Sequence, residues 1–258
     1  MISLPRLGAI IGHELRLARR DPLPIMVLVV FPIITIAFLK PALRPALVAN
    51  GYPHANGAEQ VVPGQAAMSA FFLVSLITFS FFAEHAWSTW DRLRASPATS
   101  LEIVWGKALP RLGIGIAQFV VVIGAGVVLF GLHIKGSALA LAPLVVAFSL
   151  CLVLLGVAVT AVARTAQQAN SVGYLGMVLF GAIGGAFVPF NLLPGWARAI
   201  APATPTYWAM RGLRSVILDG RGFGGVARPS AVLLAMAVGF TAIAVRRFRF
   251  DDAKAGWS

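Results

Sequence analysis

The sequence predicts an all-α integral membrane protein with six transmembrane helices, and three observations carry that prediction. Hydrophobic residues make up 59% of the 258-residue chain and charged residues 12%, against about 45–50% and about 25% in soluble domains. The apolar residues gather into stretches of about 20, the length that crosses a hydrocarbon core about 30 Å thick. Basic residues stand at the ends of those stretches, as Arg16, Arg19 and Arg20 do before the first and Arg246, Arg247 and Arg249 after the last. The net charge of +12 therefore reads as membrane topology. It does not read as a nucleic-acid surface, because no basic stripe with interleaved aromatics stands outside the apolar runs. The single cysteine, Cys151, lies in an apolar run and has no partner for an intrachain disulfide.

Residues 1–22 open the chain as an amphipathic helix. At about 100° per residue, Leu4, Leu7, Ile11, Leu15 and Ala18 share one arc, and Arg6, His13, Arg16 and Arg20 the opposite one. Such a helix lies in the interface, apolar face in lipid and basic face on anionic headgroups. A soluble cap helix would show the same arcs, but a span follows at once. Asp21-Pro22 and Pro24 end the helix. The spans are then Leu23–Leu39, Gln65–Ala83, Leu112–Gly131, Ala138–Ala163, Ala169–Phe190 and Ser230–Val245. The first and last are short, so flanking residues extend them. Placing both termini in the cytoplasm puts most Lys and Arg on that side. Arg198, Arg211, Arg214, Arg221 and Arg228, between the fifth and sixth spans, are the main exception.

Residues 84–110 form a structured cytoplasmic corner. The run from Glu84 has no breaker before Pro97, so helix continues past the second span. Thr99 and Glu102 have capping-box spacing, which starts a new helix near Ser100 that runs through Trp105 and Lys107 into the third span. Residues 189–228 are too apolar for a solvated loop and too broken by proline for a span. Two short helices dipping into the outer leaflet fit them, since non-helical backbone is tolerated there when protein covers it. Arg198, Arg211 and Arg214 then snorkel to phosphates, which accounts for the charge exception. Trp87, Trp90 and Trp105 read as interfacial anchors.

Several chemistries are excluded. No G-x-x-x-x-G-K-[ST] loop occurs, so the chain has no phosphate-binding loop of that kind. His13, His54, His85 and His133 are scattered, without metal-ligand spacing. The spans hold almost no ionisable residue at mid-depth, which argues against a proton- or sodium-driven carrier.

The run Asp91-Arg92-Leu93-Arg94-Ala95-Ser96-Pro97, followed by Leu101-Glu102-Ile103 and Gly106-Lys107, resembles the turn after the second span of ABC-2 transporter permeases. Pro189-Phe190, Leu193-Pro194-Gly195-Trp196, Thr204-Pro205-Thr206-Tyr207 and Arg211-Gly212-Leu213-Arg214 resemble that family's signature before its last span. The lead into the turn departs from the family's, being Glu84-His85-Ala86-Trp87-Ser88-Thr89-Trp90. The resemblance implies a permease in a bacterial inner membrane, both termini cytoplasmic, that exports a lipophilic or amphipathic drug or lipid by alternating access. Its partners would be a separate cytoplasmic ABC ATPase, a second permease copy or a paralogue, and lipid. No cofactor is implied on this chain; ATP and Mg would belong to the ATPase. Glycan or glycolipid export is the alternative within the family, and a channel or membrane-embedded enzyme the alternative outside it.

The resemblance also assigns residues. Glu84, Trp90, Asp91, Arg92, Leu93, Arg94, Ser96 and Pro97 would couple to the ATPase. Phe71, Phe72, Phe79 and Phe82 of the second span, with Phe180 and Phe187 of the fifth, would line an apolar route; the other reading is that they face lipid or pack helices. Pro189, Phe190, Pro194, Trp196, Pro205 and Tyr207 would form an outer gate or a static plug.

Overall fold

The computed structural model describes residues 3–86 and 95–247. Among these, helices and 3-10 turns are the regular elements and no strand occurs. The helices are α1 (Leu4–Arg20), α2 (Leu23–Ala49), α3 (Ala58–Ser69), α4 (Phe72–Ala86), α5 (Ser100–Phe130), α6 (Leu141–Val162), α7 (Ala166–Ile183), α8 (Gly195–Ile200), α9 (Pro205–Ile217) and α10 (Phe223–Arg247). Five stretches among the described residues are long and apolar enough to cross a membrane: α2, α3 with α4, α5, α6 with its preceding turn, and α10.

The helices differ from the expected spans where local chemistry extends or shortens them. α2 continues past Leu39 to Ala49 through Pro41 and Pro45, and Lys40 Nζ donates to the Phe130 carbonyl at 2.7 Å. α3 begins at Ala58 rather than Gln65 because the preceding turn caps it. Asn56 Oδ1 accepts from Ala58 N at 2.8 Å and Glu59 Oε2 accepts from Asn56 N at 3.1 Å, around Gly57 at φ 100°. Glu59, Gln60, Gln65 and Ser69 are all buried against protein, so their polarity hides a helix that lipid never sees. α3 passes into α4 through a tight turn at Ala70 and Phe71, where Phe71 N bonds Met68 O and Val74 N bonds Phe71 O. α7, in the place of the fifth expected span, ends at Ile183, well short of Phe190. Its 18 residues measure about 27 Å and open on polar Gln167, Gln168 and Asn170.

α3, α4 and α6 form the centre of the bundle. Within an 18-residue apolar segment of each, 78% of the residues are buried in the α3–α4 stretch, against 17% in α2 and 28% in α10. The poorly buried helices expose large apolar side chains, such as Phe31, Ile34 and Phe38 on α2 and Leu234 and Val238 on α10. Lipid is the solvent in which such a surface is stable. Phe119 and Phe71 each meet Phe148 edge-on, at 6.0 and 6.4 Å between centroids. α6 approaches α4 closely at Gly156, where a Cβ would stand 2.1 Å from Ile77 Cγ2 and 3.1 Å from the Val74 backbone. Small residues permit this kind of contact between membrane helices.

The bundle has two ends, separated by the length of α5, about 46 Å. One gathers α1, the end of α4 and the start of α5. The other gathers the turns around residues 50–57, 131–137 and 184–222. This last stretch contains two short helices, α8 and α9. α9 is buried along most of its length, with the Trp208 indole donating to Pro202 O at 2.8 Å.

Candidate functional site

The start of α5 is built by Glu102. Its Oε2 accepts from Thr99 N at 2.7 Å while Thr99 Oγ1 accepts from Glu102 N at 3.3 Å, the reciprocal cap read from the sequence. Its other oxygen, Oε1, accepts from Ser3 N at 2.5 Å. Ser3 is the residue that precedes α1, so one carboxylate closes the N-termini of two helices, whose free N–H groups favour a negative charge. Arg6 reinforces the junction by donating to the Pro97 carbonyl at 2.6 Å.

One turn further on, Gly106 and Lys107 fix α1 against α5. A Cβ at Gly106 would stand 2.5 Å from Ile10 Cγ2, so the glycine is what lets Ile10 seat there. Lys107 Nζ lies 2.6 Å from Glu14 Oε1 on α1, 2.9 Å from Glu84 Oε1 on α4 and 3.0 Å from the Ser80 carbonyl. Arg111, four residues along the same face, places Nη1 2.5 Å from Glu14 Oε2. The Lys107 and Glu14 side chains are only 2% and 1% exposed. Two carboxylates against two cations neutralise one another, and all three donors of the ammonium are used. A buried ion cluster tolerates little displacement, because separating its members leaves an uncompensated charge in low dielectric. The cluster therefore joins α1, α4 and α5 into one mechanical unit beneath the corner.

The coupling residues divide accordingly. Glu84 belongs to this cluster. Ser96 and Pro97 lie beside α1, and Ser96 Oγ accepts from Ala98 N at 3.3 Å. Trp90, Asp91, Arg92, Leu93 and Arg94 lie outside the described residues.

Sequence reasoning missed Glu14 and Arg111, and gave Lys107 no role beyond its place in the Gly106-Lys107 pair. Two signals carry them: cations four apart in an otherwise apolar helix, and a lone acid at the edge of the apolar arc of α1. The packed face of α1 is turned from the expected one toward Ile10, Glu14 and Leu17, leaving Leu4 78% and Leu15 42% exposed.

The phenylalanines separate into groups. Phe71 is buried and meets Phe180 at 5.9 Å. Phe72 meets Tyr174 at 6.2 Å. Phe82 is buried in a small cluster with Ala166 and Ala169. Phe79 and Phe187 are exposed. α4 and α7 thus bring Phe71 and Phe180 together but do not assemble all six. Among the gate residues, Phe190 and Tyr207 are in ring contact at 5.0 Å, Pro189 and Pro205 are buried, and Pro194 and Trp196 are exposed.

The family model described as ABC-2 type transporter matches residues 6–218. The chain belongs to this family. It is 30% identical over 148 residues to the linearmycin resistance permease protein LnrN of Bacillus subtilis, covering 57% of the chain and 38% of that protein. It is 28% identical over 168 residues to the probable multidrug ABC transporter permease YbhR of Escherichia coli, covering 64% and 46%. The chain thus spans less than half the length of the curated relatives it matches. The range matched to the ABC-2 family begins within α1 and closes just after α9, so it encloses the ion cluster, the corner and both short helices.

Proposed function

We propose that this ABC-2 family member is the transmembrane subunit of an ATP-driven exporter. A separate cytoplasmic ABC ATPase, holding ATP and Mg, docks against the corner between α4 and α5. The observation that carries the reading is the Lys107 cluster, which binds the two helices bracketing the corner to each other and to α1. A push on the corner is then delivered to α4, which continues into the fully buried α3, instead of being absorbed by a loose connector. In this reading α7 completes six crossings and both termini are cytoplasmic in the inner membrane. Two permease copies enclose the path. The α8–α9 segment faces the outside and gates the exit. The path is apolar where Phe71 and Phe180 meet, which favours a lipophilic or amphipathic cargo over a glycan; the two relatives are named for linearmycin resistance and multidrug transport.

Arg92→Glu with Arg94→Glu tests the docking role. The expected result is a normally inserted permease that no longer stimulates the ATPase or co-purifies with it. Full stimulation by an intact complex would remove the corner from the coupling path.

A further inference from the structure

A cavity of about 300 Å³ opens between α1, α2, α4 and α5, within the size of small-molecule sites, about 300–1,000 Å³. Its lining is sorted by depth. Arg20 and Asp21 line it where α1 gives way to α2, and Glu84 and Arg111 line it as members of the ion cluster. Leu76 and Phe79 lie about 7–12 Å inward of Glu84 along α4, and Ile114 about 5 Å inward of Arg111. A charged rim over an apolar shaft fits a molecule with a polar head and a hydrocarbon chain. The rim also has a definite charge pattern. Glu14 and Glu84 are neutralised by Lys107 and Arg111. Arg20 and Asp21 remain, side by side and exposed. Neither has an ion-pair partner among the described residues, and Asp21 holds only a 3.4 Å bond from Leu23 N. A cation next to an anion complements a headgroup of the opposite sense, with phosphate on Arg20 and ammonium on Asp21.

We infer that this cavity is a binding site for a zwitterionic aminophospholipid, with one acyl chain running past Ile25, Phe79, Leu76 and Ile114. An anionic headgroup without an amine would leave Asp21 facing a phosphate. A choline headgroup would offer Asp21 no N–H to donate. The site concerns how the permease is seated in its bilayer and needs no ATPase, so its test is independent of the exporter reading.

The full-length chain is reconstituted with equal amounts of phosphatidylethanolamine, phosphatidylcholine and phosphatidylglycerol. It is then stripped with detergent, and retained lipid is weighed by native mass spectrometry. The wild type is expected to hold phosphatidylethanolamine in preference to the other two. Arg20→Ala lowers that retention about tenfold, the weight of one hydrogen bond to a charged group. Asp21→Asn keeps lipid but loses the preference over phosphatidylcholine. Ala18→Phe fills the cavity and expels it. Arg20 and Asp21 are exposed, so their variants report even if Ala18→Phe does not fold. Absence of retained lipid, equal retention of all three, a preference for phosphatidylglycerol, or indifference to Arg20→Ala would each overturn the assignment.

Discussion

Lys107 brings an ammonium into a site where 2% of its side chain is exposed, and it is stable there because Glu14, Glu84 and the Ser80 carbonyl surround it. Lys107→Met leaves the buried Glu14 and partly buried Glu84 carboxylates with only Arg111 to compensate. Breaking a buried ion cluster from one side costs about 3–5 kcal/mol, so a large fall in thermal stability in detergent is expected. Restoring neutrality with Glu84→Gln in the same chain should recover part of it, and a Lys107→Met protein as stable as wild type would show the cluster to be idle. Tyr52, at the opposite end of the bundle, makes a separate case. Its hydroxyl donates to Asp219 Oδ1 at 2.8 Å. Burial, and then the Asp219 carboxylate, push the phenol above its usual value of 10.0, opposed by Arg214; Lys135 lies 5.7 Å over the ring. A folded-state pKa raised in this way stabilises the fold below pH 10 and ceases to do so as pH rises through the shifted value. Phenolate absorbance should therefore show Tyr52 titrating above 10, and Asp219→Asn should bring it back toward 10. An unchanged titration in that variant would mean that burial alone holds the proton.

Among the elements, α1 is the one whose role changed most between sequence and structure. Its amphipathic pattern was legible, and so was the cap at Thr99, because both depend on residues close together in the chain. The pairing of Glu14 with a lysine 93 positions away was not, since nothing local distinguishes a charge on a solvated arc from one turned into the protein. The same limit governs α3, where Gln60 fell outside the expected second span and Gln65 only opened it, yet both are buried inside the bundle. Hydropathy reports the solvent a helix meets, and for α3 that solvent is protein. α7 errs in the other direction: its apolar run reaches Phe190, but the helix stops at Gly184 and Gly185, the latter at φ 81°. If α1 is a structural member, deleting residues 2–20 strands Lys107 and Arg111 and uncovers Glu102. The expected outcome is a steep loss of monodisperse protein in detergent, partly restored by adding Lys107→Met to the truncated chain. A fully folded truncation with Lys107 intact would show that α1 is an accessory on the bilayer surface.

On the scale of the whole molecule, the two ends of the bundle are held by different forces. The α1 end rests on full charges, which resist separation. The other end has no ion pair among the described residues and rests on single hydrogen bonds and close backbone contacts, most of them neutral: Gln60 Nε2 to Gly185 O at 2.9 Å, Lys135 N to Ile217 O at 3.2 Å, Gly136 N to Val216 O at 3.0 Å, and a bond between Asn191 and Asn50, beside the charged donors and acceptors Lys40 and Asp219. Each neutral bond is worth about 0.5–1.5 kcal/mol, and the ATP-driven stroke proposed above, rigid at the α1 end, would have these to break at the other. This asymmetry favours α8 and α9 as a gate over a fixed plug. Single cysteines at Trp196 and Tyr207, in a Cys151→Ala background, separate the two. Trp196 is 66% exposed, so an impermeant thiol reagent added from outside should label it quickly with or without ATP trapped on the proposed partner ATPase. Tyr207 is half-buried against Phe190, so its labelling should be slow at rest and rise severalfold in the trapped state. Slow labelling of Tyr207 that is identical in both states would leave a static plug. A Trp196 cysteine that reacts only from the cytoplasmic side would reverse the orientation of the whole chain, because a 46 Å helix cannot place α1 and α8 on the same face of the bilayer.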